Sequence, residues 1–522
     1  MRIFAAAAAL VMAAPAQAEW YQASSEHFII YSEAKPDTVR QFAEDLERFD
    51  RAVRLLRGMA NLPSSQGNRL TIYEISAAKV QQLAGDQSGT IQGFYQASAA
   101  GSAAFFSRTA AAGSKTRIIE TGSLIRKSSP FVMHDDTVLL HEYSHHLMMQ
   151  DLTRPYPQWL VEGFAEFMST AKADRDGSVV IGAPAHHRVI GLEYGDQLPL
   201  ETLLSGRYDK LTREQHESIY GRGWLLTHYL TFEPSRKGQL AAYVSALSRG
   251  VDPLQAAREA FGDLRVLEQD LGKYLGRSRV LSFKIPAAQL KIRPVQVTPL
   301  TPGAAAATPG AMILKRGVAK GTEDALVAQT RAIQARYSGD PFVETVLAEA
   351  ELEAKNFSAA ESAADRALAA SPASTDAMIL KGRARIEQLA SSGAPAASFD
   401  DARSWFLKAN KIDPEDPEPL YNFYLSFTRQ RLAPTRNAIA ALHYASDLAP
   451  QDDRVRMMSA GQYLIDAKLN EARAALIPVA YDPHGEEGAA RAKRMIARID
   501  AGDRDGALKE AGWRQSAAKS SL

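Results

Sequence analysis

Apolar residues recur along this 522-residue chain with two periods, and the change of period divides it. His27-Phe28-Ile29-Ile30-Tyr31 and Leu70-Thr71-Ile72-Tyr73 are short, β-branched and aromatic-rich, as strands are. Between them Val39, Phe42, Leu46, Phe49, Val53 and Leu56 fall at helical spacing behind Pro36 and Asp37, which predicts a long amphipathic helix. Ala77 to Leu83 predicts a short one. The Gly-, Ala- and Ser-rich stretch from Gly89 to Ser123 carries brief apolar pieces at 93–95, 104–106 and 117–119, predicted as strands and turns of one small sheet. Asp135, Asp136 and Thr137 favour a helix start. Val138, Leu139, Tyr143, Leu147 and Met148 then form an apolar stripe, which Pro155 and Pro157 interrupt. A second helix begins near Gln158 and carries Trp159, Leu160, Phe164 and Phe167. Residues 200–280 read as mostly helical, including Tyr220 to Tyr229 and Gln239 to Leu247.

From Ser282 to Gly321 the pattern lapses. Pro286, Pro294, Pro299, Pro302 and Pro309 alternate with an Ala-rich tract, which predicts a linker or an extended segment lying along a surface. The remaining third is repetitive. Ala360, Ala367 and Pro372 stand at offsets that recur at Ala402, Ala409, Pro414 and again at Ala438, Ala445, Pro450, with Ala348 twelve positions before the first. This spacing resembles the tetratricopeptide repeat: paired helices, small residues where they cross, a proline closing the second. The second unit carries an insertion around Ser391 to Ser398, and a weaker unit runs from Ala472 to Pro483. Residues 323–337 resemble a half-repeat, and 503–514 a cap.

Composition narrows the setting. A net charge of +1 gives no electrostatic reason to bind nucleic acid or an anionic membrane. Arg2, the apolar run Ile3 to Ala14 and the A-x-A pattern Ala16-Gln17-Ala18 predict a signal peptide cut after Ala18. No other apolar run is long enough to span a bilayer. The mature chain is therefore expected to be exported, periplasmic or secreted, without a transmembrane segment. Cysteine is absent, so a metal site must be built from His, carboxylate and water. The expected division is a signal peptide at 1–18, a first domain at 19–281, a linker at 282–321 and repeats at 322–515.

The chemistry concentrates in residues 135–168. His141 and His145 are one helical turn apart and project from one face, an arrangement that grips a metal ion from one side. Glu142 lies beside them, placed to act as general base toward a metal-activated water. A catalytic zinc usually has three protein ligands and one open position. Glu162 on the following helix is the best third ligand, and Glu166, one turn on, is placed to hold a ligating imidazole by its other nitrogen. His146 sits about 100° round the helix from His145 and reads as a capping or packing residue. His134, His186, His187 and His216 read as loop or surface residues, any one of which could enter the cleft. No G-x-S-x-G elbow and no Walker-type loop is present.

Leu140-His141-Glu142-Tyr143-Ser144-His145-His146 with Gln158-Trp159-Leu160-Val161-Glu162-Gly163-Phe164-Ala165-Glu166 resembles the gluzincin, thermolysin-like metallopeptidases. The resemblance covers residues 25–280, though only about 30 of them are specific. It implies an α+β zincin-like domain, a small N-terminal sheet plus helices, ahead of the all-α repeat solenoid. It implies Zn2+ held by His141, His145 and Glu162, with Glu142 as base and Glu166 behind a ligand. It also implies a group that stabilises the oxyanion; Tyr220 is the first choice, with His228 and Tyr229 as alternatives. Substrate would align along an edge strand, at 101–107 or at 116–121. Three functions fit. The first is an exported zinc peptidase acting on a peptide or protein substrate, with repeats that recruit substrate or a protein partner. The second is a non-catalytic interaction scaffold with a structural or relic metal domain. The third is a regulator that cleaves its own linker or one partner.

Overall fold

The computed structural model describes residues 19–512 except 87–90, 92, 108–135, 151–155, 194–195, 209–210, 278 and 483–484. The predicted signal segment, the strand expected at 117–119 and the edge expected at 116–121 lie outside the described residues.

The N-terminal sheet is built from β1 (Tyr21–Ser24), β2 (Phe28–Ser32), β3 (Leu70–Glu74), β4 (Gly93–Gln96) and β5 (Ala103–Phe106). Its two faces follow from alternation. Phe28, Ile30, Leu70, Ile72, Ala104 and Phe106 join the main core, together with Val39, Phe42, Leu46, Phe49 and Val53 of helix α1 (Pro36–Arg57). Leu56, the last position of the predicted stripe, is exposed. The opposite face carries an aromatic row. Tyr31, Tyr73, Phe105 and Phe94 stack across four strands, with successive ring centroids 5.3, 5.2 and 4.8 Å apart. Helix α2 (Ala77–Ala84) lies on this second face through Leu83.

Helix α3 (Thr137–Gln150) and helix α4 (Gln158–Ser169) follow. In α3 all but Val138, Glu142 and Gln150 are buried, so the expected one-sided stripe is in fact a helix enclosed on most sides. Strands β6 (Lys172–Ala173) and β7 (Val179–Ile181) and helices α5 (Val189–Glu193), α6 (Leu200–Ser205), α7 (Arg213–Phe232), α8 (Gln239–Ser248), α9 (Pro253–Phe261) and α10 (Leu264–Leu275) complete the region read as mostly helical.

The proline-rich stretch 282–321 is not a linker. Strand β8 (Phe283–Ile285) pairs with β7, and strand β9 (Gln296–Pro299) returns to pair with β1, giving a sheet ordered β4-β5-β3-β2-β1-β9. Helix α11 (Pro302–Arg316) follows. Its prolines sit where a missing N–H is tolerated. Pro299 ends an outermost strand, and Pro302 is in the first turn of a helix. Pro309 is the exception, inside α11. Composition reports proline frequency but not position, which is why the segment reads as unstructured.

Residues 302–510 form stacked helix hairpins: α11 with α12 (Glu323–Arg336), α13 (Pro341–Glu353) with α14 (Phe357–Ala370), and α15 (Thr375–Ser392) with α16 (Phe399–Ile412). Three more follow: α17 (Pro417–Thr428) with α18 (Arg436–Leu448), α19 (Asp453–Ile465) with α20 (Leu469–Ala480), and α21 (Glu486–Asp500) with α22 (Arg504–Glu510). The repeating alanines Ala348, Ala360, Ala367, Ala402, Ala409, Ala438 and Ala445 are all buried, as residues at helix crossings must be. The half-repeat read at 323–337 is a whole hairpin whose first helix, α11, lay hidden in the proline-rich stretch.

The hairpins meet the aromatic face of the sheet, not the face that holds α3. Met312 of α11 is buried with Tyr31, Tyr73 and Phe105, and Phe342 of α13 lies 6.2 Å from the Tyr31 ring. Two loops of the N-terminal domain reach into the array. Gly67 N donates to Asp413 at 3.1 Å, Ala99 N to Asp452 at 2.7 Å, and Asn68 Nδ2 to the carbonyls of Glu415 and Leu448 at 3.0 and 3.2 Å. The sheet is thus covered on both faces, with α1 and α3 in front and the repeats behind.

Candidate metal centre

His141 and His145 lie on α3 and Glu162 on α4, and the three side chains converge. The two Nε2 atoms are 3.0 Å apart, and each is 3.3 Å from Glu162 Oε2. Two ligands about 2.0–2.1 Å from a zinc ion at a tetrahedral angle lie about 3.3 Å apart, so this triangle matches a three-ligand site. Glu162 is completely buried, and neither of its oxygens receives a well-aligned hydrogen bond. A carboxylate in that position is costly without a cation. Burial would raise its pKa, but the imidazoles of His145 and His141 hold it far below the usual carboxylate range. The donor set of two imidazoles and a carboxylate fits zinc.

Glu166, one turn further along α4, is also fully buried. Its Oε1 faces His141 Nδ1 at 3.1 Å. A proton held on Nδ1 leaves the Nε2 lone pair directed at the metal position. Glu166 is anchored by Arg188, whose Nε and Nη2 lie 2.9 and 2.5 Å from Oε1, and by His187 Nε2 at 2.8 Å from Oε2. Burial would raise the Glu166 carboxyl, but Arg188 and then His141 hold it well below its ordinary value. Burial would likewise depress His141; Glu166 and Glu162 reverse this and push it up to about 10 in the metal-free chain.

Backbone contact sets these helices. A Cβ on Gly163 would lie 2.4 Å from the backbone of Gly223, so α4 and α7 cross with no side chain between them. A Cβ on Gly191 would lie 2.3 Å from the Glu217 carbonyl oxygen, which brings the turn carrying His187 and Arg188 equally close to α7. The cleft over the centre, about 270 Å³, is lined by His141, Glu142, Glu166, Arg188, His216 and Tyr220, among others. Glu142 makes no hydrogen bond or ion pair with another described residue and is partly open to this space. The Tyr220 ring lies 6.2 Å from the His141 ring and under the Arg188 guanidinium at 4.5 Å.

The alternatives to Tyr220 are placed elsewhere. His228 is buried against Tyr274 Oη at 2.8 Å and the carbonyls of Gly182 and Leu281 at 3.0 Å, and the Tyr229 hydroxyl accepts from Arg236 at 3.3 Å. Both follow Tyr220 on α7 but point into packing around β8 and α10, because the helix turns them away. His146 faces Tyr95 Oη at 2.9 Å, joining α3 to β4, as a packing residue would. Among the described residues the sheet edge beside α3 is β4, at 93–96; residues 103–106, expected as an edge, are paired on both sides. His187 and His216 enter the cleft. Arg188 carries no signal in the sequence, since a partly buried arginine on a single short turn has no periodicity.

A second group of possible ligands, His27, Glu47 and Asp50, is closed. His27 Nδ1 is 2.7 Å from Glu47 and Nε2 is 3.0 Å from the Leu62 carbonyl oxygen, so both nitrogens face acceptors and the ring is an imidazolium with no lone pair to offer. Asp50 pairs with Arg54 at 2.8 Å and accepts from Tyr143 of α3 at 2.7 Å. This network ties α3 to α1.

No protein family and no curated protein matches this chain. Among solved structures, a thermophilic TPR protein of Thermus thermophilus is similar to 37% of the chain at 18% identity, with 97% of that protein covered and a TM-score of 0.31. The repeat character of residues 302–510 rests on the helix pairs and their buried alanines, not on that likeness. No described helix is long and apolar enough to cross a membrane.

Proposed function

We propose that this chain is a repeat-based protein-binding molecule whose first domain is a zinc-dependent peptidase of zincin type. The observation that carries the peptidase reading is the 3.0–3.3 Å triangle of two imidazoles and a fully buried carboxylate that receives no well-aligned hydrogen bond from the described residues, set beneath an open cleft. His141, His145 and Glu162 would hold the ion, and Glu166 with Arg188 would fix the tautomer of His141. A zinc ion there supplies a Lewis acid that acidifies water and polarises a peptide carbonyl. Glu142, without a competing partner among the described residues, would take the proton from the attacking water and deliver it to the leaving amine nitrogen. The Tyr220 phenol, kept protonated by burial and by Glu162, donates toward the developing oxyanion. Strand β4 offers an edge to which an extended peptide can pair.

The repeats stand behind the sheet, and none of their residues lines the cleft among the described residues. A protein held by them would therefore act as a tethered substrate at raised local concentration. Export, the third part of this reading, rests on the N-terminal sequence pattern. The test is hydrolysis of an unfolded protein substrate by zinc-loaded wild type and Glu142→Gln. Activity in the wild type, reduced by about a thousandfold or more in the variant, is expected. Equal activity in both would remove Glu142 from the mechanism.

A second reading is favoured by the extent of the array, which makes up residues 302–510. Here the repeats carry the function by binding protein, and the metal domain is a structural or relic unit. Zinc bound without hydrolysis of any substrate, beside specific binding of a protein by the repeats, would select it.

A further inference from the structure

A cavity of about 320 Å³ lies between the aromatic face of the sheet and the repeat helices, on the far side of the sheet from the metal centre. Its walls are Tyr31 and Tyr73 of the sheet and Lys315, Glu349, Asp376, Arg383, Asp416 and Glu418 of the array. Sites between domains commonly bind small ligands, and the volume admits several heavy atoms beyond a single ion.

Its four carboxyls, Glu349, Asp376, Asp416 and Glu418, face three cations, Arg69, Lys315 and Arg383. Lys315 Nζ donates to the Ala100 carbonyl at 2.6 Å, and its charge also acts on Glu349 and Glu418. Arg69, also at the wall, donates to Ser24 Oγ at 2.7 Å, and Arg383 is shared between Glu353 and Glu418 at 3.7 Å each. Glu349, Asp376 and Asp416 form no ion pair with any described residue. Two phenols add to this. Tyr31 and Tyr73 are 9% and 2% exposed, line the cavity and make no hydrogen bond with another described residue. Asp416 caps α17 by accepting from Glu418 N at 2.9 Å, whereas the Glu349 and Asp376 carboxylates and the two phenols have no hydrogen-bond donor among the described residues. Burial raises Asp416 to about 8, with the Glu418 charge adding to it; burial also raises Glu418 to about 7 and Glu349 above its ordinary value, against the opposing charges of Arg383 and Lys315.

We propose that this cavity binds an alkylammonium group, held by the Glu349 and Asp376 carboxylates and the Tyr31 and Tyr73 hydroxyls. An ammonium has three donors and no acceptor, which complements the carboxylate and phenol oxygens of Glu349, Asp376, Tyr31 and Tyr73. A compact divalent ion would leave most of the cavity empty and the tyrosines unused. The group could arrive on a free diamine or on a lysine side chain of a peptide, and the chemistry at the wall is the same. Because sheet and array both contribute, occupancy would also strengthen their union. The inference is independent of the peptidase reading.

Calorimetric titration of the full chain at constant ionic strength tests it, with putrescine, an Ala-Lys-Ala tripeptide and magnesium chloride as separate titrants. Saturable binding of putrescine or of the tripeptide at one site per chain is expected, and the tighter of the two identifies the source. Glu349→Gln should weaken it by about tenfold or more. Asp376→Asn, at an exposed position and so safe for folding, should weaken it several-fold. Glu349→Lys, which supplies the ammonium from within, should abolish it. The proposal is overturned if neither amine saturates, if Glu349→Gln and Asp376→Asn bind as wild type does, or if magnesium competes at equal concentration.

Discussion

Replacing Gly163 by alanine tests how the metal centre is positioned. In a helix interior this change ordinarily gains about 1 kcal/mol, because alanine restricts the unfolded chain. At Gly163 the new Cβ would stand 2.4 Å from the Gly223 carbonyl carbon and oxygen and 2.8 Å from Thr227 Oγ1. Carbon contacts are comfortable at about 3.5 Å, so α4 and α7 must part by about 1 Å. Two backbones face each other, so no rotamer change relieves the overlap. Overpacking of this kind costs about 1–3 kcal/mol, which offsets the propensity gain and leaves a net loss of up to about 2 kcal/mol. Gly272, in the middle of α10 with nothing within 4 Å of its Cβ position, is the control. Gly272→Ala should gain about 0.5–1 kcal/mol. The parting of the helices also displaces Glu162, the adjacent residue, from its 3.3 Å contacts with both imidazoles. Zinc affinity should fall by about 10–100-fold. Urea denaturation of both variants and a competitive zinc titration measure these effects. If Gly163→Ala is as stable as Gly272→Ala and binds zinc as the wild type does, the crossing does not set the site.

Three further outcomes follow from the same geometry. Glu166→Gln keeps the shape but loses the charge facing His141 and Arg188, so zinc affinity should drop about 10–100-fold while the chain still folds, as read by competitive titration and circular dichroism; unchanged affinity would deny Glu166 its supporting role. His27 is raised above its ordinary 6.5 because the Glu47 hydrogen bond and the Asp50 charge outweigh burial, which alone would lower it. A raised histidine contributes its full stabilisation below pH 6.5 and loses it as pH climbs through the folded value, so His27→Gln should destabilise more at about pH 6 than at about pH 9 in urea; an equal effect at both pH values would show that the imidazolium charge is not used. Asp452→Ala removes both the cap of α19 and the acceptor for Ala99 N, and should lower stability by about 1–3 kcal/mol in the same assay; a neutral result would mean that the β4–β5 turn is not held by the array.

The convergence of His141, His145 and Glu162 was the most legible feature of the sequence. His141 and His145 sit one helical turn apart and Glu162 follows on the next helix, so the three ligand candidates could be picked out from local spacing. The repeats were legible for the same reason, since Ala360, Ala402 and Ala438 mark crossings set by local helix geometry. What stayed hidden was long-range. Strand β9 pairs with β1 across more than 270 intervening residues, and proline content disguised both it and α11. Arg188 reaches Glu166 from a turn that only the close approach of Gly191 to α7 puts in place. The strand order that makes β4 rather than β5 the edge is a matter of which strands pair, and alternation does not encode that. The position of the array behind the sheet follows from the Tyr31, Tyr73 and Phe105 face, which in sequence is only the other half of an alternating pattern.

The most direct test of the central claim is metal analysis of the purified full chain after equilibration with zinc and removal of the excess. One zinc per chain is expected, with an X-ray absorption signature of two imidazoles and a carboxylate, and with binding lost in His145→Ala and in Glu162→Ala. A chain that takes up no zinc, or one that keeps it when both His145 and Glu162 are replaced, would contradict the assignment.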